Sequence, residues 1–196
     1  MKQISSVQNP FVKSLVLLQE KAKARKQTGT FLIEGKREIQ KAIRGGYSFE
    51  SVFIHEEAIG DFESLLNSVD HVTKYSLEAS LFEKLSIRSG SEKIIAIAQN
   101  KPHDLSQLKL NKNSIVLVIE APEKPGNIGA LYRTAAAAKI DAVIIANLKT
   151  DFYNPNSIRS SLGGIFILPT AIASSIEVIA YLKENKITIA TAAINS

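Results

Sequence analysis

Apolar residues recur along this chain in two alternating patterns, helical spacing and short continuous runs. Asn9-Pro10 predicts a helix start, with Asn supplying a cap oxygen and Pro taking the first helical position. Val12, Leu15, Val16 and Leu18 continue it as an apolar stripe. Lys21, Lys23, Arg25 and Lys26 follow, and Gly29 is the expected stop. Residues 31–33 read as a buried strand and 36–44 as a helix closed by Gly45-Gly46. The pattern then repeats: a strand at 51–54, a short helix at 62–66, a strand at 72–75, a helix from Ser76 through Leu85, and an Ile-rich strand at 93–98.

Residues 99–113 are polar, contain Pro102 and break the rhythm, which predicts a domain boundary. The apolar run 115–119 suits a central parallel strand covered on both faces. A turn at 122–126 leads into a helix over 127–139. A strand at 142–145, an apolar run at 165–168, a helix from Ser174-Ser175 through Leu182 and a strand at 186–190 complete the chain. Strands alternating with helices specify an α/β layer structure.

Composition narrows the classes. Hydrophobic residues make up 45% and charged residues 22%, which argues for a folded chain rather than a disordered one. The absence of Cys excludes disulfides and thiolate metal sites. No apolar run reaches membrane-span length, and the polar N-terminus lacks a secretory pattern, so the expected location is the cytoplasm. The net charge of +5 is unevenly placed: residues 1–50 carry +6, 51–100 carry −4 and 101–196 carry +3. A basic N-terminal end points to a polyanion such as nucleic acid, although a solvated helix face carries the same signature. His55, His71 and His103 have no metal-ligand spacing, so no metal is expected.

The segment from Glu120 to Ala136 sits between a buried strand and a helix, where open α/β sheets bind ligands. Pro122, Pro125 and Gly126 shape the turn, Asn127 is placed to cap the helix, and Gly129 permits close approach of a backbone or ligand. A dinucleotide fingerprint fails because Gly126 and Gly129 are three apart with no third glycine in register, and no phosphate-binding Gly-x-x-x-x-Gly-Lys loop is present.

The run Pro125-Gly-Asn-Ile-Gly-Ala-Leu-Tyr-Arg-Thr-Ala135 resembles the first signature motif of the SpoU (TrmH) family in the SPOUT superfamily. Asn154-Pro155, residues 159–163 (Arg-Ser-Ser-Leu-Gly) and Leu168-Pro169 resemble its second. The opening Ser-x-x-Asn-Pro and residues 31–35 (Phe-Leu-Ile-Glu-Gly) resemble the small RNA-binding domain often fused in front. The resemblance implies an α/β chain with a small N-terminal RNA substrate-binding domain (1–100), a linker (101–113) and a parallel-sheet, Rossmann-like trefoil-knot SPOUT domain (114–196). It also implies a homodimer that transfers a methyl group from S-adenosylmethionine to a ribose 2′-hydroxyl of tRNA or rRNA. A non-catalytic RNA-binding module on the same scaffold is the alternative.

The resemblance places Arg133 at the reacting ribose, where the family's Arg is proposed to help deprotonate the 2′-hydroxyl. Arg stays protonated at ordinary pH, so gripping the adjacent phosphate is the sounder role. Asn127 is its candidate partner, although six residues place the two about 240° apart around an ideal helix. Glu120 and Glu123 either orient Arg133 or are solvated, and Lys124 stands where the family often has an acidic residue. Thr191, Ala192 and Ala193 fall where the family contacts its methyl donor. Lys21, Lys23, Arg25, Lys26, Lys36, Arg37 and Arg159 are the expected RNA contacts, binding phosphate without reading sequence. Two further family motifs, a Gly-Glu loop and an Ile-Pro segment with a Ser-Leu-Asn-Val-Ser helix, do not occur by Ser196. The expectation is therefore an incomplete knot, weak or no donor binding, and no activity in the chain as it stands.

Overall fold

The computed structural model describes residues 1–69, 71–87, 92–111 and 113–192. Two sheets organise them. The first contains β1 (Lys2–Ile4), β2 (Thr30–Glu34), β3 (Phe49–His55), β4 (Thr73–Leu77) and β5 (Ile94–Gln99), in the order β1-β4-β3-β5-β2. Strands β1, β4 and β3 are parallel, and β5 runs antiparallel to β3 and β2. The second contains β6 (Val116–Glu120), β7 (Ala142–Ala146) and β8 (Thr170–Ala173), all parallel in that order. This is the mixed α/β architecture with a parallel C-terminal sheet that the alternation predicts.

Local chemistry explains most of the helices. In α1 (Pro10–Glu20) the Asn9 side chain accepts from the Phe11 N–H, as the cap reading requires. Gly29 adopts φ +68° and ends α2 (Ala22–Thr28), a conformation that glycine enters without a side-chain clash. Helix α3 (Lys36–Arg44) stops at Gly45. After β3 the chain makes a 3-10 segment (Glu56–Phe62) and α4 (Glu63–Ser68). In α9 (Ser175–Glu184), Ser174 and Glu177 satisfy each other's backbone N–H groups in a capping box.

Three expectations are corrected. Ser76 belongs to β4, paired with Ile54, and α5 (Ala79–Leu85) starts only after Glu78. Tyr75 and Leu77 are buried while Lys74 and Ser76 are less so, which is strand alternation rather than a helix start. The apolar run 165–168, to which the pattern assigns no element, falls on helix α8 (Gly164–Ile167) and its cap Leu168, where left-handed Gly163 at φ +76° turns the chain into one helical turn. Residues 186–190 form no strand. Lys186 takes φ 57°, and the segment leaves α9 without a ladder partner among the described residues. Lastly, among the described residues β6 is an edge strand, with Val118 and the preceding Ile115 exposed, and β7 is buried along its whole length.

The two halves share one hydrophobic core. Phe31 of β2 stacks on Tyr153 with ring centroids 4.1 Å apart, and Tyr47 meets Phe166 of α8 edge-on at 5.1 Å. Lys41 Nζ donates to the Leu162 carbonyl at 2.8 Å, tying α3 to the turn before α8. Residues 101–111 are also anchored. Leu108 is buried, and the Ile172 N–H donates to the His103 carbonyl at 2.7 Å.

Candidate functional site

Strand β6 ends at Glu120, and Ala121 turns the chain with φ 45°. Lys124 is the N-cap of α6 (Pro125–Ala137), with Pro125 in the first turn. Asn127 is thus inside the helix rather than its cap. Pro lacks an N–H and its fixed φ suits the first helical position, so the helix begins two residues earlier than expected. The Asn127 N–H donates to the Lys124 carbonyl at 3.0 Å. Its side chain is exposed and makes no hydrogen bond among the described residues.

Helix α6 buries Ile128, Gly129, Tyr132 and Ala135 and exposes Arg133. Among the described residues the Arg133 guanidinium has no hydrogen bond or ion pair. Gly126 and Ala130, seven and three residues earlier, share its stripe of the helix. A Cβ at Gly126 would meet nothing within 4 Å, so the first turn of this stripe is open. The neighbouring Tyr132 is fully buried and its hydroxyl lies 2.9 Å from Thr170 Oγ1, which fixes the rotation of the helix.

The second motif braces the first. Asn154 caps α7 (Pro155–Ser160), accepting from the Asn156 N–H at 2.9 Å. Ser157 Oγ donates to the Pro125 carbonyl at 3.1 Å, and Ser160 Oγ to that of Gly126 at 3.2 Å. The helices approach so closely that a Cβ at Gly129 would lie 2.0 Å from Ser160 Oγ and 2.4 Å from the Ser157 carbonyl oxygen. Of the two uses expected of Gly129, this is close approach of a backbone. Arg159 is exposed at the mouth of a narrow cleft with Glu34, Glu38 and Glu92, its Nη2 3.5 Å from Asn156 Oδ1.

At the carboxyl ends of the parallel strands, Glu120 accepts from Ser175 Oγ at 2.6 Å and Asn147 Nδ2 at 3.0 Å. These two hydrogen bonds hold its carboxyl below the usual carboxylate range, Ser175 having the larger effect. Glu120 therefore knits strand ends together and does not orient Arg133, while Glu123 is exposed. Beside it a cleft of about 460 Å³ opens between β6, α9 and residues 187–192. Val118 and Ile179 line its apolar wall, and Glu120, Ser175 and Thr191 its polar side. Ala192 lines it too, whereas Ala193 lies outside the described residues.

The basic N-terminal residues separate into two groups. Lys21, Lys23 and Lys26 are exposed, with Lys21 3.6 Å from Glu20. Lys36 donates to the Asp61 carbonyl and Arg37 pairs with the buried Glu38, yet both cations remain exposed. Arg25 is only 2% exposed and is bonded to Asp151, so it is no surface phosphate contact. Its burial follows from its place on α2, where it faces α1 while Lys23 and Lys26 face outward. Sequence reasoning also missed Ser157 and Ser160 as braces, and Tyr153. The Tyr153 hydroxyl accepts from the Lys101 N–H at 3.1 Å and lies 2.8 Å from His103 Nε2.

Residues 114–196 match the SpoU rRNA Methylase family, and residues 9–96 match the MRM3-like substrate binding domain. A solved RNA 2′-O ribose methyltransferase is 34% identical, with a TM-score of 0.77 over 94% of this chain and 70% of that one. The AdoMet-bound rRNA methyltransferase of Sinorhizobium meliloti has a TM-score of 0.82 over 94% of this chain and 69% of its own, and at 21% identity shows the fold alone. The 23S rRNA (guanosine(2553)-2′-O)-methyltransferase RlmP of Bacillus subtilis is 31% identical over 171 residues, covering 86% of this chain. The chain spans 64% of that relative and 51% of the 23S rRNA (uridine(2479)-2′-O)-methyltransferase of Streptomyces viridochromogenes, to which it is 27% identical. With its signature corner, its bracing helix and these likenesses, the chain belongs to the SpoU rRNA methylase family.

Proposed function

We propose that this protein transfers a methyl group from S-adenosylmethionine to a ribose 2′-hydroxyl of RNA, with ribosomal RNA as the substrate class. The observation that carries the reading is Arg133: an exposed guanidinium with no hydrogen bond or ion pair among the described residues, on a helix whose rotation is fixed by buried Tyr132. The curated relatives named above act on 23S rRNA, which supports that class.

The cleft beside Glu120 suits the donor. Its volume of about 460 Å³ falls within the range of small-molecule sites, and an apolar wall faces a few polar groups. Thr191 and Ala192 would hold the donor there, with Ala193 assigned by resemblance alone. When bound, the donor supplies an electrophilic methyl on sulfonium; the ribose oxygen forms the new C–O bond and the C–S bond breaks with its electrons left on sulfur. The Arg133 fork grips the phosphate next to the reacting ribose and holds the 2′-oxygen in line. The exposed Asn127 amide offers a donor and an acceptor to the sugar. The hydroxyl proton passes to solvent.

Lys21, Lys23, Lys26, Lys36, Arg37 and Arg159 are assigned to the RNA backbone. Residues 1–100 act as the substrate-binding domain, 101–113 as the linker and 114–196 as the methyltransferase domain. Among the described residues no helix is long and apolar enough to cross a membrane; the bacterial 23S rRNA relatives support a cytoplasmic location. Ile176 on α9, outside the cleft, is 82% exposed and supports a homodimer, to be read by light scattering.

Ribose methylation of rRNA, mapped in cells with and without the gene, tests the reading. Arg133→Ala should lower turnover about 100-fold or more, the scale of losing one charge-stabilising donor, while donor binding stays within about twofold. Unchanged methylation maps, or wild-type turnover by the variant, would refute it.

A further inference from the structure

We infer that Arg25 and Asp151 form a latch through which basic helix α2 positions the loop backing the Arg133 corner, making Arg25 a positioning residue for methyl transfer. The inference rests on the proposed RNA methylation and adds a residue that acts through others.

Arg25 crosses from one half of the chain to the other. Its Nε donates to Asp151 Oδ2 at 2.5 Å, and its Nη1 donates to the carbonyls of Leu18 at 2.5 Å and Gln19 at 3.2 Å. One guanidinium thus closes the joint between α1 and α2 and reaches the segment after β7. Burying such a charge is costly unless it is paired and fully hydrogen-bonded, and a well-packed apolar side chain would often stabilise the fold as well. Directional, planar donation is what Arg adds here.

Asp151 passes the constraint on. Its Oδ1 accepts from the Tyr153 N–H at 3.2 Å, shaping the approach to the Asn154 cap of α7. The same segment touches the corner twice: the Lys149 N–H donates to the Pro122 carbonyl at 3.3 Å, and Asn147 Nδ2 to Glu120. A continuous set of bonds therefore runs from α2, through residues 147–153, to the turn that launches α6 and Arg133. Lys23 and Lys26 flank Arg25 on α2 and, with Asn100, Thr150 and Phe152, line an open cavity of about 480 Å³ beside the latch. RNA phosphate held by those lysines is thereby registered against the corner.

The test uses Asp151→Asn, which keeps shape at a partly exposed position, and Arg25→Lys, which keeps charge but loses the fork. For each, methylation is measured with RNA varied, alongside RNA and donor binding and amide exchange. Misplacing reactants by about 1 Å costs up to about 100-fold, so kcat should fall about 10- to 100-fold. RNA and donor affinities should stay within about threefold, the scale expected when surface phosphate contacts are untouched. Exchange should quicken at residues 147–153 and not in β3 or β7. Wild-type kcat in folded Asp151→Asn would overturn the latch. So would a loss of RNA affinity matching the loss of kcat, since it would make Arg25 a direct RNA contact. Absence of methylation by the unaltered protein would instead refute the proposed function, and unchanged exchange at 147–153 would then overturn the latch independently.

Discussion

The two glycines of the signature corner should respond oppositely to alanine. At Gly129 a Cβ would lie 2.0 Å from Ser160 Oγ, 2.4 Å from the Ser157 carbonyl oxygen and 2.8 Å from the Ser161 nitrogen. Ser160 Oγ is engaged by the Asn156 and Gly126 carbonyls, and the other two atoms are backbone bonded to each other. Relief therefore requires α6 and α7 to separate by about 1 Å in a close-packed interior. Overpacking of this kind costs about 3 kcal/mol, and the helix preference of Ala over Gly returns about 1 kcal/mol. A net loss of about 2 kcal/mol in a chain of this size lowers the melting midpoint by about 4–8 °C. At Gly126 nothing lies within 4 Å of the added atom, so Gly126→Ala should leave the midpoint unchanged or raise it by about 1–3 °C. Thermal melts followed by circular dichroism read both. A Gly129→Ala protein as stable as the parent, or a Gly126→Ala protein that falls as far, would refute the packing argument.

Three further outcomes follow from the geometry. Burial holds the His103 pKa below 6.5, despite the Thr170 carbonyl and Asp104, which favour the charged form, and with Lys101 opposing it. The unfolded chain then binds the proton first, so stability is full above about pH 6.5 and is lost as pH falls toward the folded pKa; His103→Gln should flatten that decline in melts at stepped pH. Ser174→Ala removes the capping box of α9 and should cost about 1 kcal/mol in urea titrations, and no measurable loss would discard the cap's role. Lys23→Glu with Lys26→Glu should weaken RNA binding and reduce the slope of log affinity against log salt by about 1.5–2, whereas an unchanged slope removes both lysines from the backbone contacts.

Features governed by neighbouring residues were legible before any coordinates. The Asn9 and Ser174 caps, the Gly29 and Gly45 stops and strands β2, β3, β5 and β7 follow from side chains acting on adjacent backbone. What escaped depends on partners far along the chain. Arg25 sits in a run of cations that reads as uniformly exposed, and only the fold brings Asp151, 126 residues away, to its guanidinium. The run beginning at Ile115 is as apolar as a central strand, but its burial depends on which strands lie beside it. Residues 186–190 carry strand-like residues without a neighbour to pair with. Ser157 and Ser160 look like ordinary helix polar residues, and their task emerges only when α7 lies against α6. The strand–turn–helix corner that carries Arg133 was legible, because it is a local motif.

The aromatic seam bears on how this architecture can be rearranged. Phe31 and Tyr47 come from one half, Tyr153 and Phe166 from the other, and their rings fill a single interior. A Cβ at Gly45 would sit 2.0 Å from the Phe166 carbonyl oxygen, so backbone as well as rings must match across the joint. Grafting the first half onto a relative's second half would leave mismatched rings and stranded carbonyls, and the hybrid would fold poorly unless the joint travelled with it. The halves are thus bound to change in concert, and if the proposed RNA contacts hold, a new partner is reached more readily by altering outward-facing cations than by exchanging whole modules.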